Sequence, residues 1–166
     1  NTLGAILDPA YYDYACGTQY DPLANYANYP DQYPLAGSDY DIAYVSNKGK
    51  WRMPTKSDWE ELLDPNNCTW EWGTNDNGEK GYKVTSKKTG KSIFLPAAGS
   101  HQEQYGILNI GSYGFYWSST PNATSRTDSA WYLEFNNPSD PNIQVKPSLK
   151  TSLRCKAYTI YPVAAK

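Results

Sequence analysis

The residues of this chain that could take part in catalysis are few and far apart. Cys16, Cys68 and Cys155 form no Cys-x-x-Cys motif, and His101 is the single histidine. A structural zinc site needs four such ligands, and a reactive thiolate needs a basic neighbour or a helix N-terminus. Arg154 adjoins Cys155, but successive side chains of a strand point to opposite faces. One disulfide with a leftover thiol, or three buried thiols, both remain compatible with the sequence.

Two further pairs of chemically active residues are not positioned to act together in catalysis. Ser118 or Ser119 with His101 would make a nucleophile and a base, but nothing in the sequence brings them together. Glu60 and Glu61 are consecutive, and consecutive residues of a helix do not face each other. We therefore expect that the chain is not an enzyme and that it carries no cofactor.

Calcium is the one metal for which the sequence offers oxygen ligands. The segment 136–142 contains Asn136, Asp140 and Asn142, whose oxygens suit a hard cation. It supplies a single carboxylate, and turn chemistry explains the same residues. Calcium at these three residues stays a secondary alternative. The segment 75–79 starts like a calcium-binding loop but lacks the distal glutamate, so we predict a hairpin there.

Composition favours recognition of a ligand. The chain has 166 residues, of which 16 are Tyr and 6 are Trp, against 3 Phe and 1 Met. Tyr and Trp combine an apolar ring with a polar group, so they serve both cores and binding surfaces. The net charge of -2 provides no basic field for nucleic acid. No apolar run reaches the roughly 18 residues of a membrane span.

The predicted binding surface lies in the last third of the chain. Glycines accompany the rings of Tyr105, Tyr113 and Phe115, and a polar loop with Arg126 follows. From 144 to 150, polar and apolar residues alternate as in a half-buried strand. The predicted ligand-binding residues are Tyr105, Tyr113, Phe115, Asn122, Arg126, Asp128, Trp131, Asn136, Asn142, Gln144, Lys146, Ser148 and Lys150. The alternative is that this alternation only keeps a sheet soluble.

The elements that must position these residues are short. Thr55 and Asp58 form a capping box, and Trp59, Leu62 and Leu63 follow as one apolar stripe, so we predict a helix that ends before Pro65. The aromatic residues and turn-forming pairs such as Asp8-Pro9 predict a loop-rich region over residues 1–40. Strands are predicted at 69–72, 81–85, 92–95, 115–119, 130–135, 143–146 and 153–158. One or two helices followed by antiparallel strands predict a single α+β domain over residues 1–166.

Several motifs together resemble a known family. They are KWRMPTK at 50–56, WEELL at 59–63, NCTWEW at 67–72, SIFLPAAG at 92–99 and YWSST at 116–120. In this order they resemble the "Fibrobacter succinogenes major paralogous" domain family over residues 41–158. That family is similar in fold to C-type lectins and, more distantly, to formylglycine-generating enzymes. The resemblance implies a C-type lectin-like fold with a twisted antiparallel sheet and long loops.

The resemblance also implies a function and a location. Family members occur on secreted, often lipid-anchored, surface proteins of bacteria. Related domains include the variable proteins of diversity-generating retroelements, some of them on phage virions. The likeness implies that Trp51, Trp59, Trp117 and Ser118 are scaffold and that ligands bind after about Tyr105. It also implies an extracellular or cell-surface adhesin that recognises a protein or a carbohydrate on another cell.

Two other functions stay open at the level of sequence. A catalytic relative of the formylglycine-generating enzymes would need the pair of reactive cysteines that those enzymes use, whereas Cys155 stands alone. A structural subunit of a fimbria or a phage tail would bind only its own neighbours.

Overall fold

The computed structural model describes residues 35–39, 41–102, 105–122, 129–139, 146–154 and 156–165. Strands account for 47% of these residues and helices for 11%. The predicted α+β, C-type lectin-like fold is therefore wrong, because the described part is a sheet-rich fold made of small antiparallel sheets. The physical reason is that its two helices are only 5 and 8 residues long. The core is consequently built between sheets.

The described residues form two helices and ten strands. In chain order they are α1 (Ile42–Ser46), β1 (Trp51–Arg52), α2 (Lys56–Leu63), β2 (Cys68–Thr74), β3 (Lys80–Ser86), β4 (Ser92–Pro96), β5 (Ser100–Gln102), β6 (Gly106–Leu108), β7 (Tyr113–Pro121), β8 (Ser129–Asn136), β9 (Ser148–Leu153) and β10 (Val163–Ala164). They form the antiparallel sheets β1–β10, β2–β3–β4, β5–β6 and β7–β8–β9. Among the described residues, none of the helices has the length and apolar character needed to cross a membrane.

The predicted helix is confirmed as α2. The Thr55 hydroxyl accepts the N–H of Asp58, and the Asp58 carboxylate accepts the N–H of Thr55, so the capping box is complete. Trp59 is buried with 1% of its surface exposed. Leu62 and Leu63 pack against the same core. The helix therefore exists because a cap and an apolar stripe agree over one short segment.

Most strand predictions in the middle of the chain are confirmed, with longer bounds. The turn between β2 and β3 falls at Asn75–Gly78, where Gly78 adopts a φ of 81°. The predicted strand at 153–158 is wrong, because β9 ends at Leu153 and the chain turns at Arg154. Of the predicted strand at 143–146, residues 143–145 lie outside the described residues, and Lys146 precedes β9.

The sheet β7–β8–β9 separates two apolar clusters. The larger cluster joins α2 to both three-stranded sheets; its buried members are Trp59, Cys68, Tyr82, Val84, Leu95, Ala97, Tyr116, Leu133 and Phe135. The smaller cluster contains Ala43, Met53, Trp117, Ala130 and Tyr132. Alternation along β7 and β8 sends neighbouring residues to opposite clusters. The sheet is therefore packed on one face and only partly covered on the other.

A buried carboxylate fixes the chain on the partly covered side. Asp41 has no exposed surface. Its oxygens accept backbone N–H groups from Gly37, Ala43, Tyr44 and Met53 at 2.8 to 3.1 Å. A buried carboxylate is tolerated when several hydrogen-bond donors bond to its oxygens. Asp41 thus joins α1 to the segment that leads into α2.

Candidate functional site

The candidate site is the partly covered face of the sheet β7–β8–β9. Cross-strand partners share a face, so Tyr113 lies with Asn136, Phe115 with Glu134, and Trp117 with Tyr132. On β9, Ser148, Lys150 and Ser152 lie opposite Glu134, Tyr132 and Ala130. We call this surface the aromatic face. It consists of Tyr113, Phe115, Trp117, Tyr132, Glu134, Ser148, Lys150, Ser152 and, from the neighbouring segment, Tyr158.

The rings of the aromatic face form one contiguous cluster, in which Tyr113, Phe115 and Tyr158 are stacked and Trp117 and Tyr132 are tilted against Tyr158. Tyr113 and Phe115 are parallel within 3° at 5.7 Å between centroids, and Phe115 stacks on Tyr158 at 5.0 Å. Tyr158 also contacts Trp117 and Tyr132, each at 4.8 Å. Such contacts are worth about 0.5–1.5 kcal/mol each beyond the area they bury. The rings are therefore held in fixed positions while Tyr113, Phe115 and Tyr158 stay half-buried.

Backbone contacts hold Tyr158 against the edge of β7. The N–H of Trp117 donates to the carbonyl of Thr159, and the N–H of Thr159 donates to the carbonyl of Phe115, both at 2.9 Å. The indole Nε1 of Trp117 donates to the carbonyl of Lys156 at 3.0 Å. The segment 157–159 thereby extends the sheet beyond β7 and places its tyrosine among the rings.

Polar groups border the stack. The hydroxyl of Tyr132 donates to Glu134 Oε2 at 3.5 Å, and the hydroxyls of Ser152 and Tyr158 lie 3.5 Å apart. Burial raises the pKa of the Tyr132 hydroxyl, and the charge of Glu134 and the neighbouring Tyr158 raise it further. This hydroxyl therefore stays protonated as a hydrogen-bond donor at neutral pH. Lys150 is exposed beside it.

The sequence matches a family model described as a domain of unknown function (DUF8237) over residues 71–155. The chain belongs to the DUF8237 family. The matched region contains β3 to β9 and most of β2, and so includes all of the aromatic face except Tyr158. Neither a curated protein nor a solved structure matches the sequence.

The aromatic face of this DUF8237 domain brings together part of the predicted binding residues. Tyr113, Phe115, Ser148 and Lys150 lie on it. Lys146 is exposed just before β9. Arg126, Asp128, Asn142 and Gln144 lie outside the described residues.

The structure places Trp131 and Tyr105 on other surfaces and buries Asn122 and Asn136, although the register puts Asn136 on the same side of the sheet as Tyr113. Trp131 points to the opposite side of the sheet, where its ring lies 4.4 Å from the Lys56 ammonium. Tyr105 stands on the turn between β5 and β6 with 71% of its surface exposed. Asn122 and Asn136 are buried, with 4% and 1% exposed, so neither presents its side chain to a ligand. We therefore correct the predicted surface by removing these two asparagines.

Five residues of the aromatic face are absent from the predicted ligand-binding residues, namely Trp117, Tyr132, Glu134, Ser152 and Tyr158. The alternation of β8 is visible in the sequence, but its register with β7 and β9 decides which alternate set faces outward. The sequence predicts Tyr158 as the last residue of a strand at 153–158, whereas it belongs to the segment that extends β7. A pairing signal between 115–117 and 159 would have been needed to find it.

Neither a metal centre nor an activated thiol is found in the described parts of the DUF8237 domain. No group of three or more His, Cys, Asp or Glu residues is placed to hold a metal there. Asn136 is buried, and Asp140 and Asn142 lie outside the described residues. Burial raises the pKa of the Cys68 thiol, and Glu61 and Asp64 raise it further. A thiol of that kind is a poor nucleophile at neutral pH.

Proposed function

We propose that this chain is a non-catalytic, extracellular ligand-binding module that recognises a protein or a glycan through the aromatic face. The observation that carries the proposal is the stack of half-buried rings at Tyr113, Phe115 and Tyr158. Rigid rings supply contact area at low entropic cost, because few rotatable side-chain bonds lose their freedom on binding. The resemblance to surface domains of bacteria is the basis for an extracellular location.

The polar border of the stack fits the same role. Glu134 accepts hydrogen bonds, Tyr132 donates them, and Lys150 supplies a positive charge. A few placed polar groups around apolar contact area give a binding site its specificity. Ala43 and Met53 pack at the Trp117 end of the face, so a ligand is expected to engage the end at Tyr113.

The catalytic alternative has less support. Formylglycine generation requires a reactive cysteine pair, and burial together with two acidic neighbours makes Cys68 hard to ionise. Its side chain is buried in the larger cluster. Binding therefore explains more of the described chemistry than catalysis does.

A binding screen with matched tyrosine variants tests the proposal. The probes are an array of defined neutral oligosaccharides and intact bacterial cells, each with and without EDTA. For any probe that binds, Tyr113→Ala and Lys150→Ala should each weaken affinity by more than about fivefold, as expected for anchor residues. Tyr113→Phe keeps the ring and should retain most of the affinity.

Tyr105→Ala is the control, because Tyr105 is more exposed but lies on a different hairpin. Affinity should be unchanged in this variant, and all variants should unfold within a few degrees of the parent. The proposal fails if Tyr113→Ala binds normally or if the purified chain only polymerises. Conversion of a cysteine-containing peptide to formylglycine, seen by mass spectrometry, would establish the catalytic alternative instead.

A further inference from the structure

The hairpin of β3 and β4 carries an unbalanced positive charge in a chain whose net charge is -2. Lys83, Lys87, Lys88 and Lys91 are all exposed there. The ion pairs among the described residues are Arg52–Asp58 and Lys56–Glu60, so these four lysines have no carboxylate within 4.0 Å in that part of the chain. Their charge is thus available to a partner.

Strand register places two of these lysines in one line. Lys83 lies between Glu71 of β2 and Phe94 of β4, on the face of the sheet that points away from the larger cluster. Lys87 directly follows β3, but its N–H donates to the carbonyl of Asn67 at 2.8 Å, so the pairing of β2 with β3 continues by one residue and alternation puts Lys87 on the same side. At about 3.3 Å per residue, Lys83 and Lys87 are separated by roughly 13 Å along the strand.

Neutral hydroxyls fill the space between the two lysines. Thr85 lies opposite Ser92, and their hydroxyl oxygens are 2.9 Å apart. Thr69 lies on the other side of Thr85 and is exposed. We call this surface the lysine face. It consists of Thr69, Glu71, Lys83, Thr85, Lys87, Ser92 and Phe94, with Lys88 and Lys91 in the adjoining turn, so its single carboxylate lies beside Lys83 and its net charge remains positive.

We infer that the lysine face binds an acidic polysaccharide, a chain with carboxylate or sulfate groups at regular intervals. Charges spaced along a strand match charges spaced along an extended polymer. Exposed hydroxyls between them can bond to sugar hydroxyls or to the acidic groups themselves. Lysine also suits such a partner, because its ammonium is a mobile point charge that does not require one fixed geometry.

Two other classes of macromolecule fit the lysine face less well. Protein interfaces are depleted in Lys and Ser and rely on aromatic or Arg anchors, whereas Phe94 is the one ring on this face and is half-buried. Single-stranded nucleic acid needs several rings for stacking. The inference is independent of the proposed function, since the lysine face and the aromatic face lie on different sheets.

Binding to defined polymers tests the inference. The probes are polygalacturonate, dextran sulfate, uncharged dextran and a single-stranded DNA oligonucleotide, each at several salt concentrations. The parent should bind polygalacturonate or dextran sulfate, fail to bind dextran, and lose affinity as salt rises because counterions compete. Lys83→Gln/Lys87→Gln should bind at least about tenfold more weakly, since two contacts to the polyanion are removed.

Lys50→Gln/Lys156→Gln is the matched control, because it removes the same charge from two exposed lysines elsewhere. Less than about a twofold loss is expected in this control. The inference is overturned if both double variants lose affinity equally, if the parent binds neither acidic polymer, or if DNA binds more tightly than both. Tyr113→Ala should leave polymer binding unchanged. This variant therefore distinguishes binding at the lysine face from binding at the aromatic face, and failure of one proposal can be told apart from failure of the other.

Discussion

Asp58 shows how much one side chain can organise at the start of a helix. Its carboxylate accepts hydrogen bonds from the guanidinium of Arg52 at 2.6 and 3.1 Å and from the backbone N–H and the hydroxyl of Thr55. Burial by itself would raise the pKa of this carboxyl, but the hydrogen bonds from Arg52 and Thr55 outweigh it and lower the pKa from 3.8 to about 2. The ionised form therefore stabilises the fold.

At the residue scale, we predict that Asp58→Asn removes an acid-dependent part of the stability. The folded pKa lies below the unfolded one, so the contribution is complete above about pH 4 and disappears as the pH falls towards 2. It should amount to about 1 kcal/mol, because solvent screens the partly exposed pair. Urea unfolding at pH 7 and pH 2.5 measures it. Glu60→Gln, in the exposed pair with Lys56, should change both values by less than about 0.5 kcal/mol.

The capping box of α2 was predictable because its partners are three residues apart in sequence. The contribution of Arg52 was not, since it depends on how the chain turns between β1 and α2. Asp41 illustrates the same limit, because its most distant donor, Met53, is 12 residues away. Local chemistry is readable from a sequence, whereas contacts across turns require the fold.

At the scale of elements, the pairing of β7 with β8 depends on a residue that has no side chain. Gly114 lies opposite Phe135, whose ring covers it. A Cβ added at Gly114 would lie 2.1 Å from Cζ of Phe135. Phe135 is fully buried and contacts Tyr82, Trp70 and Tyr116, so it has little room to move. The glycine is therefore part of the core packing.

Gly114→Ala should destabilise the protein by about 2–3 kcal/mol, because one added methyl overpacks a filled core. Gly73→Ala is the control within a strand, since a Cβ there meets nothing within 4 Å. It should be neutral or stabilise by up to about 1 kcal/mol. Urea titrations followed by circular dichroism give both values. Similar midpoints for the two variants would contradict the proposed packing.

The sequence predicted most strands between β2 and β8, but it did not predict how they pair. Turn residues such as Asn75 and Gly78 mark a hairpin locally, so β2 and β3 were placed correctly. The register of β8 against β7 and β9 has no such local marker. That register decides which residues share the aromatic face, and so the site was only partly predicted.

At the scale of the whole molecule, the larger cluster links the helix to both three-stranded sheets, and Trp59 is its buried member from α2. Trp59 contacts Tyr116 edge to face at 6.1 Å between centroids, and its Nε1 donates to the carbonyl of Trp117 at 3.4 Å. It belongs to the same cluster as Val84 and Leu95 of the other sheet. We therefore expect the described part of the chain to unfold cooperatively.

Trp59→Ala should cost about 3–5 kcal/mol, because it leaves a large cavity at the centre of the core. Trp51→Ala should cost less than about 1 kcal/mol, since 45% of Trp51 is exposed. In both variants, far-ultraviolet circular dichroism and tryptophan fluorescence should report the same unfolding midpoint. Separate transitions would show that the two sheets unfold independently.

The family resemblance implied that Trp51 is scaffold along with Trp59 and Trp117, and its exposure sets it apart from the other two. The predicted α+β fold class was also wrong, because the helix was easier to detect in the sequence than the shortest strands. A well-marked helix such as α2 stands out in a sequence, while strands as short as β1 and β10 leave no periodicity to detect. The balance between helix and sheet was therefore misjudged even though α2 itself was correct.

The two-sided packing of β7–β8–β9 has a consequence for how this chain can change over generations. Tyr116, Leu133 and Phe135 are enclosed, while their neighbours Tyr113, Glu134 and Lys150 reach the other side. Under the proposed function, mutations at alternate positions are subject to separate selection, one set for folding and the other for recognition. A combinatorial library confined to the outward set would explore new specificities without disturbing the inherited framework.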